Sequence, residues 1–342
     1  MAFQNGIGYH NFMKDNQFDV TKPMQVGGQA VIEGVMMRAP GMVATAVRRR
    51  NGEIVVKKES YRSLAEKNSF FKLPVLRGAV GLIEMLFIGI RSLNFSTEIA
   101  IQDEQEAAGA ASGTKKEKSN LALGLMVAFS LAVGIAIFFV TPLFLTTLLF
   151  DVSQQAFLFN VISGLIRIGL LLGYMVLISQ LRDINRLFAY HGAEHKAVFA
   201  FEFGEPLVVP SAATQSRFHP RCGTSFLLIV MFVAILVFSV LDTFLIGQLG
   251  ELTFLTRLLT HLPLIPLVGG VSYEFIKASA RVSDTVFGRV IVAPGLWLQR
   301  ITTREPDNSQ LEVALVALQH ALGTIPAEPL RVPETSAVSI PS

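Results

Sequence analysis

The chain has 342 residues, of which 51% are hydrophobic and 16% charged, and its mean hydropathy is +0.50. This balance excludes an ordinary soluble protein and predicts an integral membrane protein. The net charge of +3 does not indicate a nucleic-acid partner, because the basic residues flank apolar runs, where anionic lipid headgroups attract them. The single cysteine excludes an intrachain disulfide and leaves one thiol as a candidate ligand.

The N-terminal region, residues 1–74, has two β-rich runs, Ala44 to Arg49 and Glu53 to Lys58, joined through Asn51-Gly52. Asn-Gly between such runs predicts a hairpin with a type I′ turn. We expect a small sheet that packs on the cytosolic face. The first twenty residues lack the basic start and continuous apolar core of a signal peptide, which predicts that they stay in the cytosol.

An amphipathic helix and a linker are predicted next. Residues 75–100 contain an apolar run interrupted by Arg77, Glu84 and Arg91, whose seven-residue spacing puts them on nearly one helical face. This pattern favours an interfacial or re-entrant helix over a fifth span. Residues 101–120 are polar, rich in small residues and free of aromatic residues, which predicts a flexible linker.

The membrane domain, residues 121–276, has four runs that can cross a hydrocarbon core of about 30 Å, which takes ~20 helical residues. They are Leu121–Phe150, Ala156–Gln180, Thr224–Ile246 and Phe254–Phe275. Lysine and arginine number 16 before the first run, 5 in the 181–223 loop and 6 from residue 277 onward. By the positive-inside rule, both termini and this loop are cytoplasmic. The sequence thus predicts a multi-pass α-helical integral membrane protein with four transmembrane helices and a small cytosolic α+β region.

Breakers and charges inside the runs predict local features. Pro142 should kink or tilt the first run, and the second should continue as one helix until Gly204 and Pro206 end it. Arg167 lies about 16 Å along the helix from Ala156, near mid-bilayer, and must be paired or hydrated, so it marks an internal polar path or a partner. Asp242 and Arg257 should pair or snorkel near the outer ends of their spans, and His261 should pack between helices.

The C-terminal region, residues 277–324, is predicted to be cytosolic. Trp297 suits the membrane interface. A capping box, Ser309-x-x-Glu312, should open an amphipathic helix that ends near Leu322. Residues 325–342 are predicted to be disordered.

Two short motifs carry the chemistry. His191 and His195 lie one helical turn apart, so both imidazoles can bind one ion, and with Glu194 they match the H-x-x-E-H pattern, in which two histidines hold zinc and the glutamate activates water. The pair His219 and Cys222 supplies a further imidazole and a thiolate, which are preferred zinc ligands. The alternative is a metal-free polar cluster at the interface.

The number of ligands decides the role of such a site. Four bound ligands make a closed, structural zinc site, whereas three leave a position where zinc lowers the pKa of water toward ~7. Glu194 would be the base, although it lies about 100° around the helix from His195 and serves only if the metal sits off the axis. Glu33 and Glu274 are the alternative bases. Arg38 and Arg221 are candidates to hold an anionic group.

Several blocks carry a family resemblance. The stretches "GGQAVIEGVMMR", "LRGAVGLIEML", "HGAEHKAV", "HPRCGTSFL", "PGLWLQRITTREPD" and "SQLEVA" resemble the bacterial membrane proteins of domain of unknown function 1385, the YqhQ-like group. The resemblance runs from Gly27 to Leu318 and is weakest in the predicted linker. It implies an integral membrane protein described as a predicted metal-dependent enzyme. His191, Glu194, His195, His219 and Cys222 match the family pattern residue by residue.

The leading hypothesis is a zinc-dependent hydrolase at the cytosolic membrane face. Its expected partners are the lipid bilayer and a membrane-protein or lipid-linked substrate, with an oligomer as a further option and no nucleic acid. A zinc-stabilised membrane scaffold or assembly factor is the first alternative, and a transporter component, suggested by Arg167, is the second. An enzyme requires an open coordination position beside a pocket, and a scaffold requires a saturated ion.

Overall fold

A computed structural model of the chain describes residues 26–108, 120–279, 285–324 and 337–338. Over these residues the chain is mostly helical and contains a small antiparallel sheet. The prediction of a helical protein with a small β region is therefore confirmed in that form. The start of the chain, for which the sequence predicts a cytosolic location, lies outside the described residues.

The sheet is an antiparallel meander whose neighbouring strands follow in chain order. Its strands are β1 (Gly27–Val31), β2 (Gly34–Ala39), β3 (Met42–Arg48), β4 (Ile54–Ser60) and β5 (Ala337–Val338). The β3–β4 hairpin is confirmed, but its predicted type I′ turn is wrong. That turn requires a positive φ at both central residues, whereas in this turn only Gly52, at φ 94°, has one. The Gly52 N–H donates to the Arg49 carbonyl (3.0 Å), so the glycine forms a bulge after the turn.

The helices account for most of the described chain. They are α1 (Leu64–Lys67), α2 (Leu76–Ala107), α3 (Asn120–Ile135), α4 (Thr141–Leu149), α5 (Ala156–Ile178), α6 (Arg182–Glu202), α7 (Val209–Ala213), α8 (Gly223–Leu249), α9 (Phe254–His261), α10 (Ile265–Ser279), α11 (Val286–Thr302) and α12 (Asn308–Leu322). A π-helical turn, Ala136–Val140, joins α3 to α4, and 3-10 turns occupy Ser69–Lys72 and Leu262–Leu264.

The sheet lies between two helical layers. Because side chains alternate along a strand, Val43 and Val47 of β3 pack against α2, while Ala44 and Ala46 pack against α6 and α12. The sheet therefore fixes the position of α6, the helix that carries the H-x-x-E-H motif.

Four helical stretches are long and apolar enough to cross a membrane. They are Gly124–Leu149, Ala156–Ile178, Gly223–Leu249 and Phe254–Ala278. Each overlaps one of the four predicted runs, differing by a few residues at the ends. Phe139, Phe159 and Phe238 contribute to a shared buried core among these helices.

A π-helical turn lies next to Pro142, where the sequence predicts a kink or tilt, and Arg167 contacts it. The π-helical turn lies immediately before α4, whose second residue is Pro142. Proline has no N–H to donate to the Phe138 carbonyl one turn earlier. Arg167 donates its Nε–H to that carbonyl (2.9 Å), and its guanidinium lies over the Phe139 ring (5.2 Å to the centroid). The structure thus gives this buried arginine a backbone partner.

A second polar network lies at the opposite end of α5 and α8 from the His191/His195 and His219/Cys222 motifs. Asp242 accepts from Arg257 Nε (2.8 Å) and Asn160 Nδ2 (2.8 Å), and its other oxygen lies 2.8 Å from His261 Nε2. The predicted pairing of Asp242 with Arg257 is confirmed, and His261 packs flat on Phe238 with centroids 4.1 Å apart.

The structure corrects three predicted boundaries. The helix from residue 156 to residue 202 is not continuous, because Leu181 is extended (φ −75°, ψ 135°) and separates α5 from α6. There the Asn185 side chain donates to the Ser179 carbonyl (3.0 Å), which replaces helical hydrogen bonding. As predicted, α6 ends just before Gly204, at φ 68°.

The second and third corrections concern the linker and the last helix. Residues 101–107 continue α2, where Asp103 accepts from Arg49 Nε (2.7 Å), so a flexible linker there is wrong. Residue 120 begins α3, and residues 109–119 lie outside the described residues.

The capping box of α12 is formed by Asp307 and Gln310 and not by Ser309 and Glu312, and Glu312 pairs with Arg48. Of the predicted disordered tail, Ala337 and Val338 form β5 against β4, and the remainder is not described.

Candidate metal centre

Three of the four predicted ligands converge near the ends of two candidate spans, after α5 and at the start of α8. His191 and His195 lie on one face of α6, and Cys222 precedes the first residue of α8. One donor atom from each of the three lies within 4.8 Å of the other two. We call these residues the His/His/Cys cluster.

Backbone carbonyls orient both imidazoles of the cluster. His191 Nδ1 lies 2.8 Å from the Thr302 carbonyl, and His195 Nδ1 lies 2.6 Å from the Arg217 carbonyl. A carbonyl only accepts, so each Nδ1–H donates to its carbonyl and each Nε2 is the ring nitrogen left to face an ion, the arrangement typical of metal-binding histidine. His191 Nε2 lies 3.2 Å from the Cys222 sulfur. His195 Nε2 is buried and has no hydrogen-bond partner among the described residues.

The start of α8 positions the Cys222 sulfur. The residue is the N-cap of α8, and its sulfur accepts from the Thr224 N–H (3.4 Å) and lies 3.2 Å from the Thr224 hydroxyl. The side chain is buried, which shields the sulfur from bulk water.

Glu194 lies beside the cluster despite its position around the helix. The carboxylate is buried, and its Oε2 is 3.5 Å from His195 Nε2. Strand β1 covers it closely, since a Cβ added to Gly28 would lie 2.8 Å from Glu194 Cγ. The glycine-rich block around β1 therefore packs against the site, and Gly28 is required for that close approach.

His219 lies outside the cluster, so the predicted four-ligand set is reduced to three. Its ring centroid is 5.7 Å from that of His195, but its Nε2 lies 3.3 Å from Glu202 Oε2 and its Nδ1 accepts from the Arg221 N–H (3.2 Å). Both ring nitrogens are thus engaged by protein groups. Burial lowers the pKa of His219, which favours the neutral ring.

Helix α11 fixes the loop that leads to Cys222. Gln299, which is fully buried, accepts from the His219 N–H (2.8 Å) and donates to the His219 carbonyl (2.8 Å). The residues after α11 then cross α6 at Gly192, where an added Cβ would lie 2.1 Å from the Arg304 carbonyl oxygen. Sequence reasoning missed both contacts. The only sign of them was that Gln299 and Arg304 fall within a resemblance block.

The remaining candidate residues have other partners. Glu33, at φ 53°, pairs with Arg186 and accepts from the Tyr190 hydroxyl (3.3 Å), and Glu274 pairs with Arg77 Nε (2.6 Å). The structure therefore does not bring Glu33 or Glu274 into the cluster.

The candidate anion-binding arginines are also engaged. Arg38 lies over the Tyr61 ring (4.6 Å) and contacts Met85, and Arg221, beside Cys222, pairs with Glu202.

A cleft of about 930 Å³ lies away from the His/His/Cys cluster, between the β3–β4 turn, α2 and the start of α6. Its lining includes Glu33, Arg186 and Asp103 but no member of the His/His/Cys cluster.

Comparisons with known proteins agree on one family. The model of the family described as "Protein of unknown function (DUF1385)" matches residues 73–324. The chain is also 35% identical over 308 residues to the "Uncharacterized protein YqhQ" of Bacillus subtilis (strain 168), covering 88% of this chain and 93% of that protein. No solved structure matches the chain. The chain therefore belongs to the DUF1385 family.

Proposed function

We propose that this member of the DUF1385 family is a four-span protein of the bacterial inner membrane that holds zinc at its cytosolic face and uses it for hydrolysis. The observation that carries the proposal is the convergence of two carbonyl-anchored imidazoles and one thiol beside the buried Glu194 carboxylate. The distribution of lysine and arginine supports the orientation, since it puts the loop that carries the cluster in the cytoplasm.

The donor set fits a divalent transition metal. Imidazole and thiolate groups are ligands that zinc prefers, and the buried Nε2 of His195, which makes no hydrogen bond among the described residues, would have a partner in a bound ion. The two carbonyl contacts fix the tautomers that expose Nε2.

The residues also fit hydrolysis. Zinc with three protein ligands supplies a Lewis acid and lowers the pKa of water toward ~7. Glu194, 3.5 Å from His195 Nε2, lies close enough to accept the proton from the attacking water and to pass it to the leaving group. Although Glu194 is adjacent to His195 in sequence, its carboxylate therefore lies close enough to the His/His/Cys cluster to serve as the base.

A zinc-stabilised scaffold is the second candidate. His195, Cys222 and Glu194 are buried, and the cluster joins α6 to the start of α8 and to the end of α11. A closed site that includes the Glu194 carboxylate as fourth ligand would connect the sheet region to the membrane helices. The transporter alternative loses its main support, because Arg167 is engaged by the Phe138 carbonyl.

Cobalt substitution separates an enzyme from a scaffold. We expect the visible spectrum of the Co²⁺-loaded protein in detergent to change when acetohydroxamate is added, because an open coordination position accepts the ligand. Glu194→Gln should keep one metal ion and the spectral response but lose hydrolysis of p-nitrophenyl ester and phosphodiester probes by a factor of about 10²–10⁴. A spectrum that ignores acetohydroxamate, with metal lost in Glu194→Gln, would favour the scaffold.

A further inference from the structure

Helix α11 has one face that no other described element covers. Its exposed residues recur at intervals of three and four, so they form a single stripe. The large apolar members are Val286, Val290 and Trp297, which are 77%, 64% and 51% exposed. Arg289 and Arg300 are also exposed, one near each end of the stripe.

The opposite face of α11 fixes its depth relative to the candidate spans. Gly295 packs so closely on Ser225 that an added Cβ would lie 2.3 Å from the Ser225 hydroxyl oxygen, and Gln299 Nε2 donates to the same oxygen (3.2 Å). Ser225 is the third residue of α8, at the cytosolic end of its apolar stretch. The middle of α11 therefore crosses α8 at the level where the hydrocarbon core begins.

We propose that this stripe of α11 lies in the cytosolic headgroup region of the bilayer and binds anionic lipids. Apolar side chains in the stripe enter the boundary between headgroups and acyl chains, tryptophan prefers that boundary, and the arginines reach lipid phosphates. The inference rests on the part of the proposed function that makes α8 a transmembrane helix. It does not depend on the metal.

The inference connects the membrane surface to the site. The inner face of α11 presents Gln299 to the His219 loop, and Thr302 at its end holds His191. A helix that lies in the headgroup layer would therefore put the His/His/Cys cluster beside that layer, where an amphiphilic substrate reaches it without leaving the membrane.

Trp297 is the only tryptophan in the chain, so its fluorescence reports on this stripe alone. The full-length protein is reconstituted in vesicles of phosphatidylcholine and phosphatidylglycerol with nitroxide labels at a shallow or a deep acyl position. We expect the shallow label to quench Trp297 more than the deep label, and aqueous iodide to quench it little. Quenching by iodide alone, or by no quencher, would overturn the proposal, because the stripe would then face water or another protein surface.

A matched variant separates the two proposals. Phe232, 52% exposed in the middle of α8, is replaced in Phe232→Trp on a Trp297→Phe background. The deep label should quench this tryptophan most. If it does, a failure at Trp297 concerns α11 only, whereas a failure at both positions removes the transmembrane assignment itself.

The lipid preference is tested with a shallow label on phosphatidylglycerol or on phosphatidylcholine. We expect stronger quenching by the labelled anionic lipid in the wild type and equal quenching by both lipids in the double variant Arg289→Gln/Arg300→Gln. Arg50→Gln, an exposed arginine on the β3–β4 turn, should keep the wild-type preference. A wild type that shows no preference would reject anionic lipid as the ligand of this stripe.

Discussion

The Gln299 side-chain amide bonds both backbone groups of His219: it accepts from the His219 N–H and donates to the His219 carbonyl, at 2.8 Å each. This contact connects α11 to the loop that ends at Cys222, although the two segments are far apart in sequence. It means that the geometry of the His/His/Cys cluster depends on a buried amide that does not belong to the cluster.

Gln299→Ala should weaken zinc binding without removing a ligand. The change leaves the buried N–H of His219 unpaired, at a cost of about 1–3 kcal/mol, and removes one of the two donors to its carbonyl, which keeps the Cys222 N–H (3.3 Å). It also frees the loop before Cys222. We expect zinc affinity to fall by about 10–100-fold, measured by competition with a chelator. Gln180→Ala, at an exposed glutamine, is the control and should bind zinc like the wild type. Equal affinities in both variants would contradict the role given to Gln299.

Gly192→Ala should displace the segment after α11. An added Cβ would meet the Arg304 carbonyl oxygen at 2.1 Å, and backbone must move to relieve that contact. The movement would carry the Thr302 carbonyl away from His191, so both the melting temperature and the zinc affinity should fall. Gly81→Ala in α2 adds a Cβ with no atom within 4 Å, and helix propensity predicts a gain of about 0.5–1 kcal/mol. A Gly192→Ala protein as stable as Gly81→Ala would refute this explanation.

Arg167 and Pro142 should be energetically coupled. Arg167→Met leaves the Phe138 carbonyl without its donor, which should lower the free energy of unfolding by about 1–3 kcal/mol. Pro142→Ala restores a backbone N–H to that turn, so the double variant should lose less stability than the sum of the single variants. Unfolding in mixed micelles at increasing denaturant measures all four proteins of the cycle. Additive effects would show that the carbonyl is not the relevant partner of Arg167.

His320 should make the packing of α12 on the sheet less stable in mild acid. Burial first, and Lys58 second, lower the pKa of His320 to about 4. In the unfolded chain its pKa is about 6.5, so the unfolded state binds more protons between these values. Stability from the neutral ring is complete above about pH 6.5 and is lost as the pH falls toward 4.

The thermal midpoint at a series of pH values measures this effect. His320→Leu should flatten the profile in that window, and Lys58→Met should narrow the window by raising the folded-state pKa. Because His320→Leu keeps all other titratable groups, a difference between the two pH profiles reports on residue 320. An unchanged slope in His320→Leu would assign the acid sensitivity to other groups.

Features of the fold that depend on local pattern were predictable from the sequence. The four apolar runs, the β3–β4 hairpin and the end of α6 before Gly204 follow from hydrophobic length and from breakers. The break at Leu181 was not predictable in this way, because no proline or glycine marks it and the Asn185 side chain bonds the backbone there. Residues 101–107 are polar but helical, since Asp103 meets Arg49 across the chain.

The candidate site was likewise predictable from the sequence only in part. The pair on α6 follows from helical spacing, and Cys222 follows from its ligand type. The exclusion of His219 depends on Glu202 and on the Arg221 N–H, which compete for its nitrogens once the loop has folded. Spacing alone cannot distinguish a histidine that binds an ion from one that is fully hydrogen-bonded within the protein.

The zinc content of the detergent-purified protein tests the central claim most directly. Inductively coupled plasma mass spectrometry is applied to the wild type, His191→Ala, Cys222→Ala and His219→Ala after zinc is resupplied and excess is removed. The three-residue cluster predicts about one zinc per chain in the wild type and in His219→Ala, and loss of zinc in His191→Ala and Cys222→Ala. Absence of zinc in the wild type, or its retention in both His191→Ala and Cys222→Ala, would contradict the metal centre.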